Sequence, residues 1–115
     1  MKAITGNRKV LGCSYDYLFR NATGSITLDV PDFEGRFEID IRSHILRTIL
    51  VSGEYEPEAA RFISKHVDQG RDAIDVGANI GLFTMKMLAA GARRILAVEP
   101  MPGALQYLKQ QWSES

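Results

Sequence analysis

Hydrophobic residues fall on alternate positions at Ile26, Leu28 and Val30, and again at Phe37, Ile39 and Ile41 after the break Pro31-Asp32-Phe33-Glu34-Gly35. A period of two puts each set on one face of a pleated strand, so the spacing predicts two strands joined by a turn of about five residues, a hairpin. His44 to Val51 is ambiguous by pattern alone: Ile45/Ile49 and Leu46/Leu50 are helically spaced, yet β-branched residues suit a strand. Ser43 as a cap and Gly53 as a stop favour a short helix. The first 24 residues show no clean period. Val10, Leu11, Tyr15, Tyr17, Leu18 and Phe19 read as short apolar elements punctuated at Gly6-Asn7, Gly12 and Asn21-Ala22-Thr23-Gly24.

The pattern changes after Gly53. Pro57 stands where a first helical residue needs no N–H, and Ala59, Phe62, Ile63 and Val67 continue at helical spacing until Gly70. A short apolar strand, Ala73-Ile74-Asp75-Val76, runs into a glycine-containing turn from Gly77 to Gly81, followed by a helix from Leu82 to Ala90 that stops at Gly91. Ile95-Leu96-Ala97-Val98 predicts a second buried strand, Glu99-Pro100-Met101-Pro102 breaks it, and Leu105, Leu108 and Trp112 mark a further helix. Strand, turn, helix, strand, helix is the order of a parallel α/β sheet.

Composition narrows the functional classes. Among 115 residues, 14 Lys+Arg balance 14 Asp+Glu, so no bulk charge attracts nucleic acid or an anionic membrane. The sequence has no apolar run of membrane-spanning length and no apolar leader in Met1 to Gly6, so the expected location is cytoplasmic, and Asn21-Ala22-Thr23 is a glycosylation sequon in letters only. Cys13 is the only cysteine, which excludes an intrachain disulfide and a cysteine-based metal site; a small buried hydrophobe is its expected role. His44 and His66 lie in no ligand or triad spacing and are expected to be structural. Met85, Met87, Leu88 and Trp112 suit core packing, and Arg93-Arg94 reads as a solvated pair.

Chemistry concentrates at Asp75-Val76-Gly77-Ala78-Asn79-Ile80-Gly81, where a strand hands over to a helix and open parallel sheets place nucleotide ligands. Gly77 permits a sharp turn and a close ligand, Gly81 permits close packing, and Asn79 tolerates positive φ between them. Glu99 closes the next strand 99 − 77 = 22 residues after Gly77. A carboxylate at about that distance meets the two ribose hydroxyls of an adenosine. A dinucleotide fingerprint would need glycine at 79 and 82, where the chain has Asn79 and Leu82, and no Gly-Lys-Ser/Thr follows to make a P-loop. Half of a dinucleotide-binding oxidoreductase is thus a weaker alternative, and a non-catalytic interaction module is another.

The blocks Glu54-Tyr55-Glu56-Pro57, Ala73 to Thr84 and Ala97-Val98-Glu99-Pro100-Met101-Pro102, in this order and spacing, resemble the FkbM family of methyltransferases. The resemblance runs from about Gly53 to Trp112 and implies an S-adenosylmethionine-dependent enzyme, an O-methyltransferase acting on a small hydroxylated acceptor such as a sugar or secondary metabolite. It implies that Asp75, Gly77, Asn79 and Gly81 form the loop around the methionine end of the cofactor, that Glu99 holds the ribose, and that Glu56 closes over the cofactor or simply caps its helix. The implied fold is a Rossmann-like class I methyltransferase sheet, partial, with residues 1–52 as a β-rich extension and 53–115 as its first half. Only Ser113-Glu114-Ser115 follow Trp112. The later strands, with the acceptor pocket and any general base, are therefore expected to be missing, no catalytic residue is named, and an open sheet edge would invite self-association or a partner chain.

Overall fold

A computed structural model describes residues 8–113. The elements run α1 (Arg8–Phe19), β1 (Ser25–Asp29), β2 (Arg36–Asp40), α2 (His44–Ser52), α3 (Pro57–His66), β3 (Asp72–Val76), α4 (Leu82–Ala89), β4 (Arg94–Val98) and α5 (Pro102–Ser113). The architecture is mixed α/β, with an antiparallel pair β1–β2 and a parallel pair β3–β4. The break expected at Gly6-Asn7 lies outside the described residues.

The hairpin forms as its alternation predicts, with Ile26 opposite Ile39 and Leu28 opposite Phe37. Phe37 and Ile39 are fully buried, whereas Ile26 on the outer strand is exposed. The connecting turn folds back into the core: Phe33 is buried and meets Phe83 of α4 edge-on at 5.4 Å between ring centres. Lys86 of α4 fastens the same turn, donating from Nζ to the Asp32 carbonyl at 2.6 Å and to Glu34 Oε1 at 3.0 Å. α2 begins and ends on the residues that cap it. Ser43 accepts from the Ile45 N–H at 3.1 Å, and Gly53, at φ 84°, donates to the Ile49 carbonyl at 2.7 Å.

The N-terminal segment departs from expectation. Residues 8–19 form one helix rather than short apolar pieces, so the described residues before Gly53 form two helices and a hairpin and are not β-rich. Leu11, Tyr15 and Phe19 make the inward stripe at i, i+4 and i+8; Tyr17 and Leu18, both exposed, obscure that period in the sequence. Tyr15 donates its hydroxyl to the Ile41 carbonyl, and Arg47 of α2 grips Asp16 with a two-point fork at 2.8 and 3.1 Å. Cys13, off the stripe, is exposed rather than buried.

β3 and β4 pair in parallel from Asp72↔Arg94 to Val76↔Val98. Their helix-facing residues, Ala73, Asp75, Ile95 and Ala97, are buried or half-buried. On the other face Ile74, Val76, Leu96 and Val98 are 65%, 80%, 61% and 42% exposed, so the strands are buried on one side only. Trp112 is likewise about half exposed rather than core. Arg93 and Arg94 are exposed but not merely solvated, since both guanidinium groups fork onto Asp72. His66 ends α3 at the surface, as expected, stacked on Phe62 at 4.1 Å.

Candidate functional site

At the end of β3 the chain turns over the top of β4. The N–H groups of Gly77 and Ala78 both donate to the Val98 carbonyl, at 2.8 and 3.0 Å, which pins the loop to the neighbouring strand. Gly77 (φ 76°), Asn79 (φ 53°) and Gly81 (φ 98°) all take left-handed conformations, so the middle position of the loop does require the tolerance that asparagine offers. The two glycines serve different ends. A Cβ at Gly77 would meet nothing within 4 Å, leaving open space above the turn, whereas one at Gly81 would lie 2.7 Å from Leu108 Cδ1. Gly81 therefore lets α5 approach the loop closely.

Asp75 and Glu99 hold this loop from below and above. Asp75 is buried on the helix-facing side of β3 and accepts a 2.5 Å hydrogen bond from Thr84 Oγ1, tying strand to helix beneath the turn. Its carboxylate faces Thr84, a partner that motif spacing alone does not disclose. Glu99 lies at the mouth: Oε2 accepts from the Asn79 N–H at 2.7 Å and Oε1 from the Met101 N–H at 2.9 Å. The structure thus brings Asp75, Gly77, Asn79, Gly81 and Glu99 into one cluster. Because a carboxylate offers about four lone-pair sites, Glu99 retains acceptor capacity after these two bonds.

Glu56 is placed differently. It is exposed at the start of α3 in a left-handed conformation (φ 44°, ψ 52°) and makes no side-chain cap bond, so the capping role is not observed. Its neighbour Tyr55 reaches the loop instead, lining a recess of about 90 Å³ with Ile45, Gly77, Ala78 and Phe83. Burial, and secondarily the Glu56 charge, pushes the Tyr55 phenol above its ordinary pKa.

A larger cleft of about 460 Å³ opens on the other side of the loop, lined by Asp40, Arg42, Asn79, Ile80, Ala104 and Tyr107 among others. One wall is the junction between β2 and α2; the opposite wall is the first two turns of α5. Gln111 holds the walls in register, accepting from the Glu38 N–H at 3.1 Å and donating to the Glu38 carbonyl at 2.9 Å, as a strand partner would. Burial, then the charges of Asp40 and Glu38, raises the Tyr107 phenol and keeps it protonated. Sequence reasoning missed Asp40, Arg42 and Tyr107. Asp40 and Arg42 flank Ile41 where the strand alternation ends, which reads as a simple joint, and Tyr107 stands between the helical positions Leu105 and Leu108.

Neither a protein-family model nor a curated protein matches the chain. Among the described residues no cluster of three His, Cys, Asp or Glu side chains is placed to hold a metal ion, and no helix is long and apolar enough to cross a membrane.

Proposed function

We propose that the chain binds S-adenosylmethionine across the loop from Gly77 to Gly81 and serves methyl transfer to a hydroxyl of a small acceptor, on a Rossmann-like sheet in the cytoplasm. The observation that carries this reading is the 2.7 Å bond from the Asn79 N–H to Glu99 Oε2, which joins two motif halves 20 residues apart at one point. The fit of the residues to an adenosine supports it. Open space above Gly77 admits a ligand against the backbone, and the remaining lone pairs of Glu99 can accept two ribose hydroxyls.

A dinucleotide fits less well. Leu82, where the third glycine of that fingerprint would stand, is buried in the core, and Asn79 carries a side chain where pyrophosphate needs bare backbone. Bound S-adenosylmethionine would supply an electrophilic methyl group; the protein's part is to hold it in line with the acceptor oxygen, a positioning effect. Asp75 and Thr84 contribute by fixing the loop from beneath.

Calorimetry with S-adenosylhomocysteine and with NAD tests the assignment, and S-adenosylhomocysteine is expected to bind more tightly. Glu99→Gln keeps the size but removes the charge and one acceptor, so affinity should fall about tenfold or more, charged hydrogen bonds being worth about 1.5–3 kcal/mol. Tighter NAD binding, or unchanged affinity in a folded Glu99→Gln variant, would falsify the reading.

A further inference from the structure

We infer that the cleft between the β2–α2 junction and α5 seats the methyl acceptor and selects an anionic alcohol, a small molecule bearing both a hydroxyl and a carboxylate or phosphate group. This rests on the proposed function, because Asn79 and Ile80 of the cofactor loop form one wall of the cleft. At about 460 Å³ the cleft has the size of a small-molecule site. It is built partly from residues before Gly53, Asp40, Arg42 and Ser43, so the N-terminal region supplies the acceptor-side surface.

The chemistry of the walls sets the ligand class. Among the described residues Arg42 is the only cation lining the cleft and Asp40 the only carboxylate. They stand two residues apart, yet no ion pair joins them, and Arg42 makes no ion pair among the described residues. Asp40 is oriented instead by the backbone: Oδ1 accepts from the Arg42 N–H at 2.8 Å. Its second oxygen is thereby left to accept a hydroxyl, while the guanidinium is left to fork onto an anion. A carboxylate and a guanidinium held apart in one recess match a ligand that is a hydrogen-bond donor at one end and negative at the other. Tyr107 adds a protonated aromatic wall beside them.

The test is calorimetry on the full chain, with and without saturating S-adenosylhomocysteine, using glycerol 3-phosphate and glycerate as probes against glycerol and inorganic phosphate. Both anionic alcohols should bind at least about tenfold more tightly than glycerol, and glycerol 3-phosphate more tightly than inorganic phosphate. The stronger of the two probes identifies the anion. Arg42→Ala should weaken both about tenfold or more with S-adenosylhomocysteine affinity unchanged, and Arg42→Lys should recover part of the loss. Glycerol binding as tightly as its phosphate, inorganic phosphate binding as tightly as glycerol 3-phosphate, or indifference to Arg42→Ala overturns the inference. If S-adenosylhomocysteine binds and none of the probes does, the inference falls and the proposed function stands. If the probes bind through Arg42 and S-adenosylhomocysteine does not, the proposed function falls and takes with it the acceptor role of the cleft.

Discussion

The stretch from Val30 to Ile49 and the parallel pair β3–β4 solve the problem of folding in opposite ways. The first buries Val30, Phe33, Phe37, Ile39, Ile45, Leu46 and Ile49 against one another and against Ala60, Ile80 and Leu82. In the second, the outward face stays in water and the buried strand residue is a carboxylate, Asp75. Hydrophobic burial therefore stabilises the hairpin and α2, and the parallel half, which reaches that core through Ile80 and Leu82, is further held by directed polar bonds: Thr84 to Asp75, Gly77 and Ala78 to Val98, Asn79 to Glu99. The candidate site belongs to the half that is hydrogen-bonded into shape, with the densely packed half forming one wall of its larger cleft.

The comparison is broken most directly by deleting one apolar side chain from each half. Phe37→Ala removes a fully buried ring from β2 and should cost about 3–5 kcal/mol, enough to unfold a small domain of ordinary stability. Ile74→Thr, on the exposed face of β3, keeps β-branching and should change stability by less than about 0.5 kcal/mol. Urea denaturation measures both. Similar costs at the two positions would show that the outward face of β3–β4 is covered in solution and that the contrast is false.

A smaller effect is expected from the polar scaffold under the loop. Thr84→Val keeps the shape and burial of the side chain but deletes the 2.5 Å bond to Asp75, leaving a buried carboxylate without that donor. Such an orphaned group costs about 1–3 kcal/mol, more when charged. The loss should appear in both chemical stability and S-adenosylhomocysteine affinity, because Asp75 and Thr84 support the turn that Gly77 begins. Thr84→Ser, which retains the hydroxyl, should restore most of both. A Thr84→Val protein as stable as the parent would mean that burial alone holds this half together.

How far the chain could be read in advance follows the same division. The hairpin, α3 and the parallel β–α–β unit were legible because periodicity and punctuation by Pro57 and Gly91 agree with the tertiary packing, and α2, ambiguous by period, was legible from its caps Ser43 and Gly53. α1 was not, since Tyr17 and Leu18 place large apolar groups on its solvent side and mask the stripe of Leu11, Tyr15 and Phe19. Within the site, the sharp turn at Gly77, the positive φ of Asn79 and the place of Glu99 at the end of the next strand were legible from backbone sterics and the length of a β–α–β unit, whereas the positive φ of Gly81 and the Glu99 bond to the Asn79 N–H were not. Asp40, Arg42 and Tyr107 were not. They converge only because Gln111 clamps α5 to β2, a contact between residues 73 positions apart that no local pattern encodes.

The smallest expected effect lies at the far end of β3 from the loop, where Asp72 takes forks from both Arg93 and Arg94. Hydrogen bonds from Arg93 and then Arg94 hold its carboxyl well below the ordinary value of 3.8. A carboxyl depressed in the folded state contributes stability that is fully present above its unfolded pKa and is lost as pH falls below 3.8 toward the folded value. The three groups are exposed, so water and salt screen the contribution, and it should shrink further as ionic strength rises. Asp72→Asn removes it and leaves two neighbouring guanidinium groups uncompensated. The gap in urea midpoint between parent and variant should be small and constant above about pH 5, then close on acidification. A gap that is independent of pH, or that widens toward acid, would show that the Asn side chain disturbs the β3–β4 pairing itself and that the clasp is part of the polar scaffold of the parallel half rather than a surface addition to it.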